Sequence, residues 1–202
     1  MKIKERKNFQ EKDNNFYTAY TKNGRRLFDV VAHEEKFVLD EYLHRVSCLV
    51  INERNEVLMG ERKDKSLTPG KVDLISANVK GYDTGMGTVI KELESLGINN
   101  VLGSEIKRVN HLAKPLTMEY GNRLRNYLVD FYCLKVKREN FKINLDQFIS
   151  MKWVKLETAE KLIKMGKTIL PKESNCVNYD KIFENTRKFC LKKDKGEDVL
   201  TR

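Results

Sequence analysis

The stretch GKVDLISANVKGYDTGMGTVIKELESLGI, residues 70–98, gathers Asp83, Glu92 and Glu94 with Lys91 in one short segment. Carboxylates set close together can share a divalent cation, and Mg2+ takes one or two of them while phosphate oxygens complete its octahedron. Spacing limits what these three can do. Val89, Leu93 and Leu96 recur at i, i+4 and i+7, the spacing of a buried helical stripe. The segment therefore reads as a helix, capped by Thr84 and ended by Gly97. On a regular helix Glu94 stands roughly 200° around from Glu92, so the two cannot easily hold one ion.

Other residues could complete a site. Arg62, Lys63 and Lys65 in GERKDKSLTPGK form a basic loop edge that could meet phosphate oxygens, although a solvated charge run is the plainer reading. Glu61, Asp73 and Asp146 could supply a metal ligand or a general base. Tyr82 could stack on a base, and Trp153 in KWV reads as a core or rim aromatic.

The elements that must position these groups are short. FYTAYTKNGRRLFDVVAH reads as two strands turned by Asn23-Gly24. HRVSCLVINERNEVLMGER gives two more, Val46–Ile51 and Val57–Met59, turned at residues 52–55. VDLISANVKG is extended, and LRNYLVDFYCLKVK and FISMKWVKL are strands. NHLAKPLTMEYGNRLRN reads as a loop. ETAEKLIKMG is a helix ended by Gly166, and NYDKIFENTRKFCLKK begins a last helix with a basic tail. Strands and helices mix without a regular βαβ repeat, which predicts an α/β fold with a mixed sheet between helices. The expected division is a flexible 1–16, a domain over 17–170 with its N-terminal hairpin, and a C-terminal helix and tail over 171–202.

Composition sets outer bounds. The 202 residues suit one domain, and with 40% hydrophobic residues a core is affordable. The mean hydropathy of −0.58 and the lack of a long apolar run exclude a membrane helix. The charged start MKIKERKNFQEKDNNF does not read as a signal peptide, so a cytoplasmic protein is expected. Cys48 and Cys133 lie in apolar strand runs and none of the four cysteines forms C-x-x-C, which points to buried structural thiols. The net charge of +10 favours polyanionic or phosphate-bearing partners, RNA among them.

The order strand, turn, strand, PGKVDL, loop, a helix ending KELESLGI, strand, then MKWVKLETAEKLI resembles the Nudix hydrolase family over about residues 17–166. The family signature is G-x5-E-x7-R-E-U-x-E-E-x-G-U, with U aliphatic. Asp83 falls on its first Glu, Lys91-Glu92-Leu93 on R-E-U, and Gly97-Ile98 on G-U. LHRVSCLVINERNEVLMGERKDKSLTPGK further resembles the branch of type I isopentenyl diphosphate isomerase. The resemblance implies a Nudix-type α/β/α sandwich with a mixed central sheet and, here, an N-terminal hairpin extension. It implies Mg2+ or Mn2+ at Glu92, Glu94 and Asp83, catalytic roles for Glu92 and Glu94, and substrate contacts from Arg62, Lys65 and Lys91. His44 enters as a metal-ligand candidate by the same resemblance.

The implied reaction is hydrolysis of a phosphoanhydride bond in a nucleoside diphosphate derivative. The sequence departs from the pattern in ways that bear on it. Ala77 stands at the signature Gly, and three residues, Glu94-Ser95-Leu96, replace four before Gly97. The i+3 and i+4 partners of Glu92 are thus Ser95 and Leu96, unless a helical bulge shifts them. The loop where the isomerase carries a cysteine reads LISAN, which argues against isomerisation. Three readings remain open: a weak or specialised hydrolase, a non-catalytic module binding nucleotide or RNA, and a scaffold for protein contacts.

Overall fold

The computed structural model describes residues 16–31, 41–63, 71–111, 116–120, 123–137, 148–174 and 178–191. The expected hairpin forms from β1 (Phe16–Tyr20) and β2 (Arg26–Val31), paired antiparallel. Gly24 takes φ 77 in its turn, a conformation glycine adopts without steric cost. The hairpin joins the main sheet where Ala19 and Tyr20 of β1 pair with Leu43 and Tyr42 of β3 (Tyr42–Ile51).

The turn after β3 is built by Asn52, whose side-chain oxygen accepts from the amides of Arg54 and Glu56, each at 2.9 Å. It leads into β4 (Glu56–Arg62), yet β3 and β4 pair only at Ile51–Val57. The two strands then splay. β5 (Val72–Asp73) lies on β4 and β6 (Ile75–Asn78) lies on β3.

β9 (Arg123–Lys135) runs parallel to β3 along its whole length and carries β7 (Ile106–His111) and β8 (Leu116–Tyr120) antiparallel on its other edge. β10 (Phe148–Lys155) pairs with β4. Part of the span read as loop from sequence is thus strand. In β7 the register shifts between Arg108 and Asn110, which breaks the alternation of apolar and polar residues that would have revealed it.

β3 shows how the layers form. Leu43, Leu49 and Ile51 enter a core with α2 (Leu156–Lys164) and α3 (Asp180–Leu191). Val46, Cys48 and Val50 enter a second core with α1 (Gly85–Ser95). A strand buried on both faces reads as a continuous apolar run, as CLVI does. The result is a curled mixed sheet between helices. Burial pushes the thiols of Cys48 and Cys133 upward, Cys133 to about 12 with Cys190 adding to it, so both stay protonated core groups. Among the described residues no helix is long and apolar enough to cross a membrane.

Candidate functional site

The segment that carries the candidate carboxylates is held from two sides. On the sheet side, β6 pairs with β3 and the Val79 amide donates to the His44 carbonyl at 2.8 Å. On the outer side the N-terminal hairpin grips the loop. Tyr17 bridges Lys80, Thr18 Oγ1 donates to the Gly81 carbonyl at 2.8 Å, and the Arg26 guanidinium lies 4.5 Å from the centre of the Tyr82 ring. The loop is therefore fixed by an element outside the resemblance's core motif.

α1 starts as the sequence predicts. Thr84 accepts from the Gly87 amide at 3.0 Å, and Gly85 is buried against the sheet. A Cβ on Gly85 would sit 2.6 Å from Tyr132 Oη and 3.4 Å from His44 Cε1, so only glycine lets the helix come this close. The helix ends with the Ile98 amide donating to the Leu93 carbonyl at 2.9 Å and Gly97 at φ 84, a glycine-closed terminus.

The acidic groups do not converge. Asp83 is occupied by Lys91, whose Nζ lies 2.7 and 2.8 Å from its two carboxylate oxygens. Glu92, two helical turns after Gly85, is half-buried. Glu94 is exposed. At the i+3 position Ser95 Oγ donates to the Glu92 carbonyl at 2.8 Å, and at i+4 Leu96 is core, 4% exposed. The helix is regular here, with no bulge to restore a ligand. Among the described residues no three His, Cys, Asp or Glu side chains gather to hold a metal. The donor set therefore does not fit a resident Mg2+ of the kind the resemblance implies, which needs several carboxylates on one helix face.

The remaining candidates fall elsewhere. Asp73 is buried, accepts from Ser76 Oγ at 2.8 Å and lies 3.4 Å from Arg45, whose guanidinium also donates to Ser76 Oγ at 2.6 Å. That network ties β3, β5 and β6 together and commits Asp73 to structure. Glu61 is half-buried in β4 between β10 and β5, and Trp153 of β10 packs at the rim of the α1-side core. Lys63 is exposed. Lys65, Asp146 and the side chain of Arg62 lie outside the described residues.

His44 meets one carboxylate, with Nε2 at 3.0 Å from Asp130 Oδ2, while Arg108 donates to Asp130 Oδ1 at 2.6 Å. Sequence reasoning passed over Asp130, Arg108 and Tyr132. The available signal was a lone acid inside the apolar run YLVDFYCL, which must find partners when buried. Burial raises the Tyr132 hydroxyl, Asp130 adds to the rise, and Arg108 opposes it.

The sequence matches no protein-family model and no curated protein. Solved structures do resemble it. DR0079 from Deinococcus radiodurans superposes with a TM-score of 0.55 at 10% identity, over 76% of this chain and 90% of that one. A MutT protein from Methanosarcina mazei Go1 gives 0.46 at 19% identity, over 76% and 96%. The NUDIX domain of Shewanella oneidensis NrtR, solved with ADP ribose, gives 0.49 at 13% identity, over 78% and 94%. The curled mixed sheet between helices and the order of its elements are those that the sequence resemblance to the Nudix family implies. At these identities the likeness to solved structures extends to the fold and to nothing finer. The segment that resembles the family's signature forms α1, between the hairpin-clamped loop and Gly97.

Proposed function

We propose that this chain binds a nucleoside diphosphate derivative on the α1 side of its Nudix fold, with little or no metal-dependent turnover. One observation carries the low turnover: Leu96 occupies the core at the i+4 position from Glu92, where a second carboxylate would be needed. Binding is supported by the sequence resemblance, by the +10 charge and by Lys91, whose exposed ammonium can exchange its Asp83 partner for a phosphate.

A second reading is hydrolysis, weak or specialised, of a phosphoanhydride bond with Mg2+ or Mn2+. Its specific support is the half-buried Glu92, the carboxylate at the family position that could take a proton from an attacking water. Calorimetry with ADP in EDTA, beside a turnover panel of nucleoside diphosphate derivatives with Mg2+ or Mn2+, separates the two. The proposal expects ADP binding without metal, weakened about tenfold in Lys91→Ala by loss of a charged hydrogen bond, and no turnover that depends on Glu92. Turnover abolished by Glu92→Gln would establish the hydrolase instead. Absence of binding by every nucleotide tested would overturn both.

A further inference from the structure

The loop before α1 displays a feature that the diphosphate reading does not use. Tyr82 is 86% exposed, the largest exposure among the large hydrophobic side chains described. An exposed tyrosine on a loop is ordinarily free to swing, yet here one ring face is covered by the Arg26 guanidinium at 4.5 Å. A cation at that distance both orients the ring and adds a favourable contact. The rest of the ring is open to solvent.

Exposed cations occur on both segments that meet at this ring. Three attachments tie the loop to the hairpin: an antiparallel bridge of Tyr17 with Lys80, the Thr18 hydroxyl on the Gly81 carbonyl, and Arg26, paired with Tyr20, over Tyr82. Lys80 is exposed on the loop, and Lys22 and Arg25 are exposed in the turn. Tyr17 to Tyr20 spans about 10 Å at the rise of an extended strand. An oriented aromatic face with positive charge on both segments that meet at it matches the demands of an unpaired base and its flanking phosphates.

We propose that the face formed by the β1–β2 turn and Tyr82 binds single-stranded nucleic acid, with one base stacked on Tyr82 and the backbone phosphates met by Lys80 on the loop and by Lys22 and Arg25 in the turn. A strand fits better than a single nucleotide because three exposed cations on two segments, Lys80 on the loop and Lys22 and Arg25 in the turn, exceed what one phosphate group would use. A duplex fits poorly because its bases are already stacked and cannot reach the ring.

Fluorescence anisotropy of a labelled oligoadenylate with the full chain tests this. Tyr82→Ala is expected to weaken binding about tenfold, and Tyr82→Phe to stay within about twofold, because stacking needs the ring and not the hydroxyl. Lys22→Ala with Arg25→Ala is expected to flatten the dependence of log affinity on log salt by about 0.7 for each lost phosphate contact. Tyr82 is on the surface, so an unchanged melting temperature confirms that the variants fold. Three results would each overturn the proposal: Tyr82→Ala binding as the parent does, a duplex of the same length binding as tightly as the strand, or adenosine monophosphate binding as tightly as the oligonucleotide. None of these involves Glu92 or Lys91, so the outcome stands apart from that of the ADP experiment.

Discussion

The two ends of α1 are built to different purposes. At the N-terminal end Thr84 caps the helix and Gly85 lets it settle onto Tyr132 and His44, while the loop before it is clamped by the hairpin. At the C-terminal end Leu93 and Leu96 enter the core and Gly97 closes the chain. The first end fixes backbone and loop, and the second spends its positions on packing. A fold can thus preserve the frame of a phosphate-processing site while the turn that would supply its acids serves stability. Removing a single residue accomplishes this, because each residue rotates every later side chain by about 100°.

The sharpest way to break the contrast is Leu96→Glu. If the position is core, a buried carboxylate there costs about 3 kcal/mol or more, read as a large drop in the denaturation midpoint with no gain in Mn2+ binding. Near-parental stability together with a new Mn2+ site would show the last turn to be a ligand position after all. At the other end Gly85→Ala forces its methyl toward Tyr132 Oη, 2.6 Å away, and is expected to cost about 2 kcal/mol. Tyr132→Phe in the same chain should recover part of that loss, since it removes the oxygen in the way.

Thr84→Ala should cost about 1 kcal/mol through loss of the cap. It should leave the oligonucleotide affinity unchanged if the hairpin, and not the helix start, holds the loop.

The smallest effect lies on the opposite helix layer and serves as a control. Burial raises the Glu160 carboxyl, but hydrogen bonds from Arg187 and Lys164 outweigh it and hold the group below its ordinary 4.5. The unfolded chain takes up this proton near pH 4.5 while the folded chain does so only lower. The contribution is therefore full above that pH and fades as acid titrates the folded group. Glu160→Gln should flatten stability against pH in this acid range and leave ADP binding untouched.

Much of the frame was legible in the sequence. Asn23-Gly24 fixed the hairpin, Thr84 and Gly97 bracketed α1, Gly166 ended α2, and Val89, Leu93 and Leu96 gave the buried stripe that rules on the acids. Each of these is a local signal, set by turn chemistry or helical period. What escaped was non-local. β7 and β8 owe their pairing to β9, and in β7 a register shift hides the alternation. The Lys91–Asp83 pair could not be read because whether two exposed side chains meet depends on loop shape. The His44–Asp130–Arg108 network joins three strands far apart in sequence. Lys65 and Asp146 lie outside the described residues.

The central claim is that α1 offers a divalent ion one carboxylate and no more. Electron paramagnetic resonance of Mn2+ titrated into the protein with ADP present tests it most directly. The account predicts that Mn2+ stays as free as with ADP alone, and that Glu92→Gln changes nothing. A protein-dependent loss of the free-ion signal that disappears in both Glu92→Gln and Asp83→Asn would contradict it, because two carboxylates would then be holding the ion together.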